Sequence, residues 1–167
     1  MVDLRKTGIS GWITIKSDTS WKADRFAEVV VDSIDSQLRA AESVRDCYDR
    51  LDHNDLKGAR EKVADAFKLY PNHPAAGVCL ARMFDAQHAS VDSIIFAFEK
   101  VVRGDSVNAK AWDRLAGAYQ EKNDIQRAVE ARTHQLEAAP ENSVLRTQVA
   151  AGWIGLKQYQ KGIDILD

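Results

Sequence analysis

Several things are scarce in these 167 residues, and each shortage excludes something. Two cysteines, Cys47 and Cys79, are too few for a disulfide framework or for a four-cysteine zinc site. Three prolines and nine glycines leave long stretches free to be helical. No apolar run approaches the roughly 20 residues that a membrane-spanning helix needs, so no membrane partner is expected. The first residues, Met1, Val2, Asp3, Leu4, Arg5 and Lys6, lack the apolar stretch of a signal peptide. Localisation stays open on that basis, with cytoplasmic, periplasmic and secreted settings all retained. Charge of one sign is also missing: 23 basic residues stand against 25 acidic ones, for a net charge of −2. Nucleic-acid affinity rests on clustered Lys and Arg, so a nucleic-acid partner is not expected.

Catalytic and metal-binding constellations are missing too. The four histidines are His53, His73, His88 and His134. Three fall in expected turns and one in a helix, all read as solvated, and no pair has metal-ligand spacing. No glycine-rich phosphate loop and no nucleophile elbow occurs. The chain is therefore read as no enzyme, without cofactor or metal.

What is present is repetition. Stepping by 34 or 35 residues from Ala59 reaches Ile94, Ala128 and Gly162. Leu56, Val91, Ile125 and Tyr159 form a parallel apolar row, and Phe67, Val102 and Leu136 form another. Asp55, Ser90 and Asp124 precede helical patterns, where a side-chain oxygen can accept from the free backbone N–H groups of a first turn. Pro71 and Pro140 follow helical patterns, where the missing N–H ends the helix. Between these punctuation marks apolar residues recur at three- and four-residue spacing, as in Val63, Ala66, Phe67 and Tyr70. The unit is helix, turn, helix, turn. In the second unit the turn between the helices is one residue longer.

The third unit carries Trp112, Leu115, Ala116 and Tyr119 in its first helix, Ala128 in its second and Pro140 at its end. This pattern resembles the tetratricopeptide repeat. The resemblance is most specific over residues 109–142 and covers about three quarters of the chain. It implies an all-α fold, a right-handed superhelix of antiparallel helix pairs, in which Trp112, Tyr119, Trp153 and Tyr159 fill the core. The expected divisions are a strand-like N-terminal segment over 1–19, a leading helix over 20–39, and four repeats over 40–74, 75–108, 109–142 and 143–167. The last is truncated within its second helix, which suggests a segment of a longer protein.

Residues 11–16 are aromatic and β-branched and read as a short strand with no evident partner. From Ser20 the pattern turns helical, with Asp18, Thr19 or Ser20 as cap and Trp21, Phe26, Val30, Ile34, Leu38 and Ala41 on one face. That helix either runs on towards Leu51 or breaks near Asp35 and Ser36. Cys47 and Cys79 lie on first helices of neighbouring units and read either as buried small residues or as a disulfide between them.

The resemblance also implies a function: a protein-interaction scaffold that takes a peptide or partner protein along the concave face lined by first helices. Carried onto this chain, that face shows Ala75, Val78, Arg82 and Asp85 in the second unit. It shows Lys110, Asp113, Gly117, Gln120 and Glu121 in the third, and Val144, Thr147, Ala151 and Ile154 in the fourth. Family members that clamp the acidic tails of heat-shock chaperones carry Lys and Asn where Asp113 and Gly117 stand, so that ligand is not expected. The alternative is a structural module that self-assembles as a homo-oligomer, through the uncapped apolar end around Ile163, Ile165 and Leu166 or through the N-terminal strand.

Overall fold

The computed structural model describes residues 2–3, 12–13 and 23–167, with side chains from Asp32 onward. Val2–Asp3 (β1) and Trp12–Ile13 (β2) form a two-residue antiparallel pair, Val2 opposite Ile13 and Asp3 opposite Trp12. The rest of the strand read over 11–16, the caps at Asp18, Thr19 and Ser20, and the side chains of Trp21, Phe26 and Val30 lie outside what is described.

Eight helices follow: α1 (Ala23–Asp52), α2 (Leu56–Leu69), α3 (Pro74–Ala86), α4 (Val91–Gly104), α5 (Ala109–Glu121), α6 (Ile125–Ala138), α7 (Ser143–Gly155) and α8 (Tyr159–Asp164). α1 is unbroken through Asp35 and Ser36 and so joins the expected leading helix to the first helix of the first unit. The helices pack as antiparallel pairs, α1 on α2, α3 on α4, α5 on α6 and α7 on α8. Each pair stacks on the next through α2–α3, α4–α5 and α6–α7, in a right-handed superhelix.

The turns inside the pairs are one device used four times. Asn54, His88, Asn123 and Lys157 all have positive φ, between 51° and 62°. A left-handed residue after a helix lets the next two N–H groups turn back onto its last carbonyls. Asn123 N–H donates to the Gln120 carbonyl and Asp124 N–H to that of Tyr119, both at 2.9 Å. Lys157 and Gln158 repeat this on Ile154 and Trp153. The residue after the turn then caps the next helix: Asp55 accepts from Gly58 N–H, Ser90 from Ser93 and Asp124 from Arg127. The longer turn of the second unit, Gln87 to Ser90, keeps the same logic with one extra residue. Asn108 and Asn142 cap α5 and α7 in the same way, from the connections between pairs.

Packing follows the small residues. Ala59, Ala97 and Ala116 are wholly buried and Ala128 almost so, which lets paired helices approach. Gly77 marks a close crossing of α3 and α4: a Cβ there would lie 2.7 Å from Val101 Cγ2 and 3.2 Å from the Ala97 carbonyl oxygen. One continuous apolar cluster runs from Cys47 and Val63 through Leu80, Met83, Phe98 and Val101 to Leu115, Tyr119 and Ala131. A second holds α7, with Val129 and Leu136 of α6 against Leu145, Val149 and Trp153. The core is thus a seam along the stack. Among the described residues, no polar or charged residue is buried in it.

A disulfide joins Cys47 on α1 to Cys79 on α3, with the two Cα atoms 6.6 Å apart. Both cysteines are fully buried. The bond ties the first helices of two neighbouring units directly, bypassing α2.

One aromatic does not sit where the repeat rows place it. Tyr159, expected in the core with Trp112, Tyr119 and Trp153, is 58% exposed. Its row partner Ile125 is likewise 46% exposed, whereas Leu56 and Val91 are partly covered by the main cluster. Trp112 is only half-buried; its ring stacks on His134 with centroids 4.6 Å apart, and its Nε1–H donates to the Ser106 carbonyl.

Candidate concave groove

Lys110, Asp113 and Gly117 are spaced by three and four residues, so one face of α5 carries them together. Arg114 belongs to that face as well, one turn after Lys110. On α3, Arg82 and Asp85 form the corresponding step. The stack brings these two faces side by side and leaves two adjoining hollows. The first, about 480 Å³, is lined by Val78, Arg82, Asp85, Phe98, Lys110 and Arg114, among others. The second, about 440 Å³, includes Asp85, Asp113, Arg114, Gly117, Glu121 and Arg132. Asp85 and Arg114 border both, so the hollows form one strip.

Ion pairs cross the strip from helix to helix. Arg82 on α3 reaches Asp52 on α1 at 3.4 Å, and its guanidinium lies 5.3 Å from the centre of the Tyr48 ring. Arg114 on α5 reaches Asp85 on α3 at 3.5 Å. Arg132 on α6 lies 3.9 Å from Asp113 and donates to Gln120 Oε1 at 3.1 Å. Burial pushes the Tyr48 hydroxyl above its ordinary pKa, partly countered by Arg82, so it stays a donor, to the Ala75 carbonyl. These pairs are exposed and long. Such pairs contribute roughly 0–1 kcal/mol each, and a competing ligand charge displaces them at little cost.

The two halves differ in sign. Around the first hollow stand Arg82, Lys110 and Arg114 against Asp85 alone. Around the second stand Asp85, Asp113 and Glu121 against Arg114 and Arg132. Among the described residues, Lys110 and Glu121 have no ion-pair partner.

Of the residues named from the sequence, Arg82, Asp85, Lys110, Asp113 and Glu121 line the strip. Gln120 touches it only through Arg132. Thr147 and Ile154 on α7 line neither hollow: the Thr147 hydroxyl donates to the Ser143 carbonyl of its own helix. Two charged residues of the lining were missed. Arg114 had a visible signal, its four-residue spacing from Lys110. Arg132 had none, because it lies on a second helix and reaches the strip only through the length of its side chain.

Among the described residues, no group of His, Cys, Asp and Glu is placed to hold a metal ion, and no helix is long and apolar enough to cross a membrane. The histidines are scattered. His53 and His88 sit exposed in turns and His134 stacks on Trp112. His73 differs from its expected solvated state, because its Nδ1 is buried at the start of α3 without a hydrogen-bond partner.

No family model matches the sequence, and no curated protein does. Solved structures match through their shape. The first tetratricopeptide module of Spaghetti, bound to the HSP90 peptide SRMEEVD, superposes with a TM-score of 0.53 at 13% identity, over 72% of this chain and 98% of that one. The C-terminal tetratricopeptide-containing domain of a Plasmodium falciparum FK506-binding protein gives 0.51 at 16% identity, over 77% and 95%. MamA of Desulfovibrio magneticus RS-1, from residue 41 of that protein to its end, gives 0.50 at 16% identity, over 76% and 71%. At such identities the likeness is one of fold. The repeat rows, the four left-handed turns and these superpositions agree: the chain has the tetratricopeptide-repeat fold.

Proposed function

We propose that this chain is a partner-binding scaffold whose concave strip takes an extended peptide segment of mixed charge. The observation that carries the reading is the change of sign along the strip, basic around Lys110 and acidic around Glu121, across the Asp85–Arg114 pair. An extended segment with an acidic side chain towards Lys110 and a basic one towards Glu121 satisfies both ends, while Val78 and Phe98 supply apolar floor in the basic half and Val91 and Ile94 in the acidic half. Spaghetti, with the same fold, holds a peptide, which supports a peptide as the kind of ligand. That peptide is mostly acidic at its end, whereas Asp113 and Gly117 occupy the strip here, so SRMEEVD itself is expected to bind weakly at best.

The test is fluorescence polarisation with short labelled peptides carrying one acidic and one basic cluster, in both charge orders. One order is expected to bind at least tenfold better, which corresponds to about 1.4 kcal/mol. Arg114→Glu combined with Glu121→Lys is expected to reverse the preference. Equal binding of both orders, unchanged by the double variant, would sink the groove assignment.

A further inference from the structure

α1 meets α3 along a short ladder that climbs both helices in step. At its foot, Val44 and Ala76 share a small apolar cluster with Ala66. In the middle stand the Cys47–Cys79 disulfide and the Tyr48 hydroxyl, which donates to the Ala75 carbonyl at 3.2 Å. At its head Arg82 donates to Asp52 at 3.4 Å, with its guanidinium 5.3 Å from the centre of the Tyr48 ring. The covalent rung thus lies about one helical turn below the arginine.

Arg82 is also a wall of the basic hollow. Among the described residues, the partners of its guanidinium are Asp52 and Tyr48, both on α1. Where Arg82 points is therefore set by how α1 sits on α3. Cys47 and Cys79 are fully buried, in an interior packed too closely to leave slack around them. Two thiols need more room than the bond that joins them, because a covalent link becomes a van der Waals contact. On reduction the two helices must part by on the order of 1 Å. The Tyr48–Ala75 and Arg82–Asp52 contacts are already long for hydrogen bonds, so a shift of that size opens both.

Two effects on the strip then oppose each other. Release from Asp52 frees Arg82 for a ligand carboxylate, but an exposed pair of this kind contributes little to begin with. Loss of the fixed position leaves a long, rotamer-rich side chain for the ligand to order, and that costs more. The second effect wins, and reduction weakens binding.

We propose that the Cys47–Cys79 disulfide is a redox control on the concave strip: oxidised, it holds Arg82 in place for an acidic side chain of the partner, and reduced, it lets Arg82 go. The reductant is a dithiol. One of its thiolates attacks a sulfur of the bridge, the other sulfur leaves as a thiolate and takes a proton, and the second thiol of the reductant resolves the mixed disulfide. Cys47 and Cys79 each gain one electron and one proton, and the reductant becomes a cyclic disulfide. Because both cysteines are buried, attack follows a local opening of α1 from α3. The effect on binding rests on the groove reading, whereas the loosening of α3 rests on the ladder alone.

The test compares the chain before and after incubation with dithiothreitol, with thiols counted in denaturant to establish that the bridge is open. Fluorescence polarisation uses the labelled peptide whose charge order binds better. Its affinity is expected to fall about three- to tenfold on reduction, with helical circular dichroism unchanged. Arg82→Ala is expected to lower affinity by a similar factor and to abolish any further effect of reductant. Cys47→Ala combined with Cys79→Ala is expected to match the reduced chain in either condition. Hydrogen exchange without peptide is the second readout: α3 amides are expected to exchange about tenfold faster or more after reduction, and those of α5 and α6 at an unchanged rate. An oxidised chain that prefers neither charge order would overturn the groove reading, and this proposal with it. An oxidised chain that discriminates, with affinity and α3 exchange both indifferent to reduction, would overturn this proposal alone. Loss of helicity on reduction, or a further loss of affinity when the Arg82→Ala chain is reduced, would overturn it as well.

Discussion

Arg114 on α5 and Asp85 on α3 lie 3.5 Å apart, and both border the two hollows that make the concave strip. Their side chains are 55% and 51% exposed, so the pair holds the helices together only weakly. A double-mutant cycle on unfolding free energy is expected to give a coupling below about 1 kcal/mol. Arg114→Ala should therefore leave stability within about 1 kcal/mol of the parent while lowering peptide affinity tenfold or more. A stability loss above about 2 kcal/mol would make Arg114 a part of the scaffold and not of its binding face.

The disulfide between Cys47 and Cys79 closes a loop with a sequence separation of 32. In the chain-entropy account, cross-linking a loop of that length stabilises by about 3–4 kcal/mol through the unfolded state. Urea unfolding with and without reductant should differ by that amount, and thiol titration of the unfolded, unreduced chain should find no free thiol. Identical midpoints, or two titratable thiols, would remove the bridge from the account of stability.

His73 stands at the N-cap position of α3 without a side-chain cap bond, its Nδ1 is buried and unpartnered, and burial pulls its pKa below the ordinary histidine value. The folded protein therefore prefers the neutral ring. Above about pH 6.5 the ring is neutral in both states and this contribution is complete. As pH falls through 6.5 towards the lower folded pKa, the unfolded chain takes up the proton first and stability drops. His53 works in the opposite sense, because the Asp49 carbonyl and carboxylate raise its pKa, so the comparison must isolate His73. Between pH 7 and 5 the parent should lose stability relative to His73→Asn. Parallel curves for the two proteins would contradict this.

Leu115 is 2% exposed at the centre of the main cluster, where the third pair meets its neighbours. Leu115→Ala leaves a cavity in a seam that has no separate core to fall back on. The expected cost is about 2–5 kcal/mol in chemical unfolding. A loss under about 1 kcal/mol would mean that the seam closes around the gap.

Much of this architecture was legible because it repeats. The caps Asp55, Ser90 and Asp124 and the extra residue of the second turn stand in the sequence at a fixed step, and each acts locally. The strip was half legible. Lys110, Asp113 and Glu121 were named by the resemblance to the tetratricopeptide repeat, and Arg114 lies one turn after Lys110 on the same helix. Arg132 carried no such signal, because its contact with Asp113 depends on how far α6 stands from the face of α5. The exposure of Tyr159 was hidden for a similar reason. A row tells which side of a helix a residue occupies, not whether another helix covers it. The buried nitrogen of His73 is equally tertiary, set by the approach of neighbouring turns around a residue that reads as a solvated loop histidine.

Lys157 holds the left-handed place in the last intra-pair turn at φ 61°, where Asn54 and Asn123 hold it in the first and third. Asparagine tolerates that region through local hydrogen bonding, whereas the lysine Cβ meets the following carbonyl. The turn needs the conformation, because Lys157 and Gln158 donate their N–H groups to the Ile154 and Trp153 carbonyls at 2.9 Å. Lys157→Gly removes the clash, and the greater freedom of glycine in the unfolded chain offsets part of the gain. The net expectation is a stabilisation of about 0.5–1 kcal/mol, with Lys157→Asn in the same direction. Lys157→Val, branched at Cβ, should destabilise by at least as much. Thermal unfolding of the three variants at low chain concentration measures the order directly. If valine proves as stable as glycine, the left-handed turn is not what terminates α7.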